Sequence, residues 1–229
     1  MNILIFDTAT PLEFIILGRE ADVFMHHETV DRTHSATIFQ NMKKLLNEAR
    51  IDLSSIDLIA AGIGPGSFTG IRIAVTTARM LAQILNIPLL GIKTHELYAS
   101  SVPASPGEQI LIAFDARKKR VFGALYGHGE QPGETVELVP PGDYGMEELL
   151  QKADPAARTW CAGDGIVPYG AIVDEILKNH RHLDNFIPSG GAILELVLKK
   201  YKTGGNKAHY STIHPFYARK SDAETARGK

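Results

Sequence analysis

Ala61-Gly62-Ile63-Gly64-Pro65-Gly66-Ser67-Phe68-Thr69-Gly70-Ile71-Arg72 joins the apolar run 56–61 to a strongly apolar segment, 71–85, that has the length and composition of a helix. A short apolar run followed by a helix reads as one strand–helix step of an α/β sheet. Glycines clustered at such a junction tolerate positive φ and close backbone approach. They can present amides to an anion or let another surface pack closely. A Walker phosphate loop ends its glycine pattern in a lysine and a hydroxyl residue that reach phosphate and magnesium. Here Gly70 is followed by Ile71, so the loop alone is a weak nucleotide signal. The acidic residue that would support a dinucleotide site after a second strand is not convincing either.

Working outward, residues 3–6 read as a short buried strand, and 14–17 and 23–26 as two more around the turn Gly18-Arg19-Glu20. Three strands so close in sequence need tight connections and are expected to be antiparallel neighbours. A helix is expected to begin after Thr33 or Ser35 and to run to about Arg50, with Ile38, Phe39, Met42, Leu45, Leu46 and Ala49 on one face. After the second helix, 87–92 supplies another strand, and strand–helix–strand crossovers imply parallel, right-handed connections. The order β-β-β-α-β-α-β is a mixed-sheet domain.

The stretch 101–107, with Pro103, Pro106 and Gly107, is the best linker. Two domains are expected, 1–102 and 103–229. In the second, 109–115 and 120–126 form a hairpin around Ala116-Arg117-Lys118-Lys119, followed by a helix at 146–152, a strand at 159–162 and helices at 170–179 and 190–201. Both halves open on antiparallel strands and turn to helices, which hints at duplication. The second helix carries more than one apolar stripe, and Gly70, Ala74 and Ala78 form a small-residue ridge on it. The surplus implies a second layer inside the protein or a partner outside it, and the sequence leaves both open.

Composition is that of an ordinary globular protein, with 229 residues, 44% hydrophobic, 22% charged and a formal net charge of -2. No global field attracts nucleic acid or an acidic membrane. Cys161 is the only cysteine, which excludes an internal disulfide and a cysteine-rich zinc site. No apolar run reaches the roughly 18 residues of a membrane span, and no basic segment precedes a long apolar one at the start. No membrane association is expected, and the cytoplasm is the expected location.

Five motifs recur in order across nearly the whole chain: Ile3-Leu4-Ile5-Phe6-Asp7-Thr8-Ala9-Thr10; His34-Ser35; the Gly62 to Arg72 loop; Asp115-Ala116-Arg117 leading into Val121-Phe122-Gly123-Ala124-Leu125-Tyr126; and Pro215-Phe216-Tyr217-Ala218-Arg219. In these the chain resembles the TsaB (YeaZ) family, non-catalytic homologues of the TsaD subunit in the bacterial machinery that makes N6-threonylcarbamoyladenosine. The resemblance implies an α/β, actin-like and ribonuclease-H-like (ASKHA) fold of two domains, each a mixed sheet flanked by helices, with the second reduced. It implies a subunit that binds and activates TsaD for threonylcarbamoylation of adenosine 37 in tRNAs reading codons that begin with A. Expected partners are a TsaD-type catalytic subunit and a TsaE-type ATPase, with a homodimer when alone and tRNA met only through the complex. ATP or ADP and a metal ion would belong to the partner subunits, and no cofactor is expected in this chain. The two helices of the first domain are the expected interface, through His34, Ile38, Met42, Leu45, Gly70, Ile71, Ala74, Val75, Ala78 and Leu81.

Asp7 ends the first strand where actin-like ATPases hold metal and phosphate, but Thr8-Ala9-Thr10 replaces their glycine-containing turn. Asp7 and Arg72 are the candidates for nucleotide contact, with turn capping the preferred role for Asp7. TsaD-like proteins carry two histidines four residues apart on a helix; here His95 is followed by Ala99, so that metal site is not expected. His26 and His27 point to opposite faces of a strand. His180-Arg181-His182 alternates as two ligands would, but it follows a lysine-containing helix end where solvent-facing cations are expected. Ser67 lacks the G-x-S-x-G setting of a nucleophile and reads as a helix cap, and Cys161 beside Trp160 reads as core. Arg117, Lys118, Lys119 and Arg120 are the strongest basic cluster and the candidate tRNA contact, with Lys199, Lys200 and 202–207 as further cations. The competing readings are a weak ATPase or glycoprotease-like enzyme of the actin-like superfamily and a homodimeric regulatory or peptide-binding protein.

Overall fold

The computed structural model describes residues 1–20, 22–30, 34–129, 134–204 and 209–219. In the first half, β1 (Asn2–Asp7), β2 (Leu12–Arg19) and β3 (Asp22–Thr29) form an antiparallel meander. After α1 (His34–Ala49), β4 (Leu58–Gly62) pairs in parallel with β1, and after α2 (Phe68–Leu85), β5 (Leu89–Ile92) pairs in parallel with β4. The sheet order is β3-β2-β1-β4-β5. This follows from connection length, since tight turns permit only antiparallel neighbours and helical crossovers permit parallel ones.

Alternation along the strands divides the apolar residues between two faces. Leu4, Phe6, Ile15, Leu17, Ile59 and Ala61 pack in one core with the buried stripes of α1 and α2. α6 (Gly190–Lys202) packs against β2 and β3. Gly18 permits this approach, because a Cβ there would overlap the Leu194 side chain, and Gly190 lies against Val23 and Met25.

The chain divides into two compact units: Met1–Thr94 with Ser189–Phe216, and His95–Pro188 with the stretch from Tyr217 onward. The expected split at 102/103 therefore differs from the one the contacts define. The proline-rich stretch 101–107 lies inside the second unit, several residues after the chain passes from one unit to the other at Thr94 and His95, and its composition carries no information on where a later helix returns. α6 returns because Ile193, Leu194 and Val197 need an apolar face, and β2 and β3 offer one.

In the second unit, α3 (Thr94–Ala99) leads to β6 (Gln109–Asp115) and β7 (Val121–His128), the expected hairpin. β8 (Thr135–Tyr144) pairs antiparallel with β7, and α4 (Met146–Leu150), β9 (Thr159–Ala162), α5 (Ile166–Ile176) and β10 (His180–His182) follow. β9 pairs in parallel with β6 and β10 with β9, giving the order β10-β9-β6-β7-β8. Numbered within each sheet, both read 3-2-1-4-5 with the same strand senses. The expected pair of mixed-sheet, ribonuclease-H-like domains is present, and shorter helices on the second sheet make it the reduced copy.

Two expectations fail for physical reasons. β8 has no expected counterpart because it contains Pro140 and Pro141, which donate no backbone hydrogen bond. It is tolerated as an edge strand, and its register against β7 shifts between Gly123 and Leu125. α5 begins four residues earlier than expected, because Pro168 falls in its first turn, where a missing N–H costs nothing.

Leu194→Ala is expected to cost about 2–5 kcal/mol, the range for truncating a buried leucine. By hydrogen exchange the loss of protection should fall on β2 and β3. If it fell instead on β6–β9, α6 would belong to the second unit.

Candidate functional site

The glycine junction and the end of β1 fold into each other. The Asp7 carboxyl is wholly buried. Its Oδ1 accepts a hydrogen bond from the Ala9 amide at 2.6 Å, and its Oδ2 accepts one from the Thr94 hydroxyl at 2.6 Å. Thr94 is held in turn by the loop, since the Gly64 amide donates to its Oγ1 at 3.2 Å and its own amide donates to the Gly64 carbonyl at 2.9 Å. Burial pushes the Asp7 carboxyl above its usual range, and the two hydrogen bonds and the charge of His34 oppose this only in part.

The glycines are explained by what they face. A Cβ at Gly62 would overlap the Asp7 carboxylate, one at Gly66 the Ala9 carbonyl and one at Gly70 the Thr8 carbonyl. The Ser67 amide donates to the Ala9 carbonyl at 2.6 Å, and the Thr8 hydroxyl donates to the Gly70 carbonyl at 2.7 Å. The close approach that glycine permits is used by the chain's own Asp7–Ala9 turn. Ser67 caps α2, its hydroxyl accepting from the Gly70 amide at 3.3 Å. Arg72 is exposed and lies 3.9 Å over the Phe68 ring, so the two nucleotide candidates are not brought together: Asp7 is inside and Arg72 outside. The Phe216 amide donates to the Ile63 carbonyl at 2.8 Å, which ties the C-terminal motif to the same loop.

Beside this junction lies a polar cluster that the sequence reading missed. Glu13, on the α1 face of β2, is fully buried. His34 Nδ1 lies 3.2 Å from its carboxylate, and the Thr37 hydroxyl and Asn41 amide each donate to it at 2.9 Å; Asn41 also reaches Glu28 at 2.7 Å. Burial pushes the Glu13 carboxyl up, but hydrogen bonds from His34, Asn41 and Thr37 together with the charge of His34 outweigh it and hold the group below its ordinary value. One signal was available, because Glu13 is the one acidic residue of β2 and precedes an apolar run from Phe14 to Leu17.

The residues expected to face a partner lie in the chain's own core. His34, Ile38, Met42, Leu45, Gly70, Ile71, Ala74, Val75, Ala78 and Leu81 are all buried in this single chain. Helical periodicity identifies an apolar stripe without saying what covers it, and here the first sheet covers it. The apolar surplus on the same two helices is elsewhere: Phe39 is 47% exposed, Met80 40% and Ile84 71%.

The remaining candidates separate cleanly. His95 is buried, its Nε2 is 2.9 Å from the Phe122 carbonyl and its ring meets Phe114 edge-on, while Ala99 is core. A carbonyl only accepts, so that nitrogen is the donor and is not aimed at an ion. Cys161 is buried, and burial with the charge of Asp174 pushes its thiol up to about 12, which makes it inert as a nucleophile. His26 and His27 pair opposite Ile15 and Phe14 on β3 and face opposite ways. In the basic turn, Arg117, Lys118 and Lys119 are exposed, each with positive φ, whereas Arg120 is held by Asp143 at 2.8 Å. Asp143 also attracts Arg219 at 3.9 Å. Lys199, Lys200 and Lys202 occupy the last turn of α6 in the other unit, and Lys207 lies outside the described residues.

A family profile described as TsaD, tRNA N6-adenosine threonylcarbamoyltransferase, matches residues 25–155. The tRNA threonylcarbamoyladenosine biosynthesis protein TsaB of Escherichia coli (strain K12) is 34% identical over 155 residues, 66% of this chain and 67% of that one. The protein of the same name from Bacillus subtilis (strain 168) is 32% identical over 152 residues, 66% of this chain and 65% of that one. The matched region thus spans about two thirds of these relatives. YeaZ from Pseudomonas aeruginosa superposes with a TM-score of 0.81 at 28% identity, covering 94% of this chain and 99% of that structure.

Glu13→Gln is expected to lower stability at pH 7 by about 1.5–3 kcal/mol, the worth of hydrogen bonds to a charged group. A carboxyl whose folded value is depressed contributes stability above its unfolded value of 4.5 and loses it as pH falls through the folded value. The gap between parent and variant in urea melts should therefore close as pH drops below 4.5. A gap that stayed constant with pH would mean the carboxylate charge is not what stabilises the cluster.

Proposed function

Since the chain belongs to the TsaB (YeaZ) family, homologous to TsaD-type transferases, we propose that it is the non-catalytic subunit that binds a TsaD-type partner and activates it for threonylcarbamoylation of adenosine 37 in tRNA. The observation that carries this reading is the filled junction. The positions where an actin-like enzyme would admit a phosphate are occupied by the Thr8 and Ala9 carbonyls, and Asp7 is engaged on both oxygens. A chain built this way acts through its surface. Its contribution is differential binding: it stabilises the active arrangement of the transferase relative to inactive ones.

The helices α1 and α2 remain the proposed interface, with the contact residues revised. Ile84, Phe39 and Met80 supply the apolar area, while the buried stripe beneath holds the helices in place. The same surface serves a homodimer when the partner is absent, and a TsaE-type ATPase docks on the assembled pair. Of the basic cluster, Arg117, Lys118 and Lys119 are exposed at the turn proposed to meet tRNA phosphates in the complex, with Arg117 also 3.2 Å from Asp115, and Arg120 lies 2.8 Å from Asp143. Among the described residues no helix is long and apolar enough to cross a membrane. The cytoplasm is the location proposed for this work.

Reconstituted tRNA modification with and without the chain tests the reading. Ile84→Asp with Met80→Asp should leave the thermal midpoint nearly unchanged and weaken pairing with the transferase by at least about tenfold, the scale of a lost interface anchor. Ala74→Arg should instead unfold the chain, because it puts an unpaired charge at a fully buried position. Full pairing by the doubly substituted surface variant would exclude this face. Turnover of ATP by the isolated chain, abolished by Asp7→Ala, would favour the enzyme reading.

A further inference from the structure

The end of α5 and the short strand β10 bring three ligand-type side chains to one point in the second unit. Asp174 lies near the end of α5, and His180 and His182 project from the same face of β10 because strand side chains repeat every two residues. Asp174 Oδ1 is 2.9 Å from His180 Nε2 and 3.1 Å from His182 Nε2. The three ligand atoms lie within 4.8 Å of one another. The intervening Arg181 is carried the other way, its guanidinium 5.1 Å from the Trp160 ring.

The hydrogen-bond roles at this point do not close without a positive centre. His180 Nδ1 is 2.7 Å from the Leu177 carbonyl, which can only accept, so that nitrogen carries the ring proton. In the neutral ring Nε2 is then a lone pair, and it faces a carboxylate oxygen, so two acceptors confront each other at 2.9 Å. His182 Nε2 is buried near the same oxygen without a hydrogen bond of acceptable geometry. A backbone carbonyl on the far nitrogen is the usual second contact of a metal-bound imidazole, since it fixes the tautomer and aims the lone pair. The spacing fits as well. Ligands at about 2.0–2.1 Å from a tetrahedral zinc lie roughly 3.3 Å apart, close to the 2.9 and 3.1 Å from Asp174 to the two imidazoles, and the imidazole nitrogens, within 4.8 Å of each other, draw together on binding.

We propose that Asp174, His180 and His182 bind one divalent cation of the imidazole-preferring class, Zn²⁺ or its analogues Co²⁺ and Ni²⁺, with the fourth position open to water on the exposed Asp174 side. The spacing of His180 and His182 on one strand face, discounted in the sequence as a solvent-facing helix end, becomes a ligand pair because α5 delivers the carboxylate. The cation ties the last turn of α5 to a three-residue strand whose one neighbour in the sheet, among the described residues, is β9. The site belongs to the second unit and the junction at Asp7 to the first, and the proposal does not depend on the proposed partner.

The test uses the full-length chain without a histidine tag, freed of metal by a chelator. Co²⁺ titration should give saturable one-to-one binding with visible d–d absorption, and Zn²⁺ should raise the thermal midpoint. Asp174→Asn, His180→Gln and His182→Gln should each weaken Co²⁺ binding by at least about tenfold. Asp174→Asn, being largely exposed, should keep the metal-free midpoint, so a lost signal there reports ligation and not unfolding. His26→Gln with His27→Gln should bind as the parent does. Absence of saturation at about 1 mM Co²⁺, far weaker than histidine–carboxylate sites bind, would overturn the proposal. So would binding that survives Asp174→Asn and His182→Gln.

Discussion

The packing of the Asp7–Ala9 turn into the Gly62–Gly70 loop is the constraint on which the first unit depends. Through it the Asp7 carboxyl reaches Thr94, the Ala9 carbonyl reaches the Ser67 amide, and Thr8 reaches the Gly70 carbonyl. One turn thereby sets the end of β1, the start of α2 and the start of α3. Burying a carboxyl is costly unless hydrogen bonds or a raised proton affinity compensate. Asp7 uses both, as its two donors and its upward shift show. Three of the glycines are then required by close contact, since a Cβ at Gly62 would strike the Asp7 carboxylate and one at Gly66 or Gly70 a carbonyl of the turn, while Gly64 holds a φ of 99°.

This arrangement determines what the two long helices can offer. Because α2 begins inside the junction, its rotation about its own axis is fixed, and Gly70, Ala74 and Ala78 face the sheet. The ridge of small residues lets the helix approach its own strands closely. Left exposed on the two helices are Met80 and Ile84 toward the C-terminal end of α2, together with Phe39 on α1. The Glu13 cluster locks α1 in a similar way: His34, Thr37 and Asn41 come from successive turns of the helix and converge on a single carboxylate from β2. A rigid pair of helices with a few exposed apolar side chains suits a surface that recognises another folded protein, since little ordering entropy is then lost on binding.

Much of the fold was legible because connection length and periodicity are local properties. The meander, both crossovers, the 109–126 hairpin and the short strand at 159–162 were readable in order, with the largest miss in the meander at the end of β3, which runs on to Thr29. What failed was non-local. β8 contains two prolines and is a strand only because β7 offers it an edge. The placement of α6, which starts at Gly190, depends on a face of β2 and β3, which end by Thr29. At the site, Asp7 as a turn residue, Ser67 as a cap and His95 as a hydrogen-bonding core residue were legible from type and position. Which apolar residues of the two helices stay exposed was not, because an apolar stripe looks the same whether a sheet or a second protein covers it.

The same ambiguity explains how a loop can keep its glycines while its use changes. A phosphate cradle and a tight turn-in-loop both need residues without a Cβ and free backbone geometry, so glycine content does not distinguish them. The occupant does. An anion would leave amides pointing into an open space, whereas here the Ser67 and Gly64 amides are taken by Ala9 and Thr94 from the chain itself. Replacing a glycine-containing turn after β1 with Thr8-Ala9-Thr10 adds bulk where a phosphate would enter, and that bulk becomes the ligand of the loop. The filling of the loop by the chain's own turn and the fixed start of α2 are one structural arrangement, and the proposed binding role builds on it.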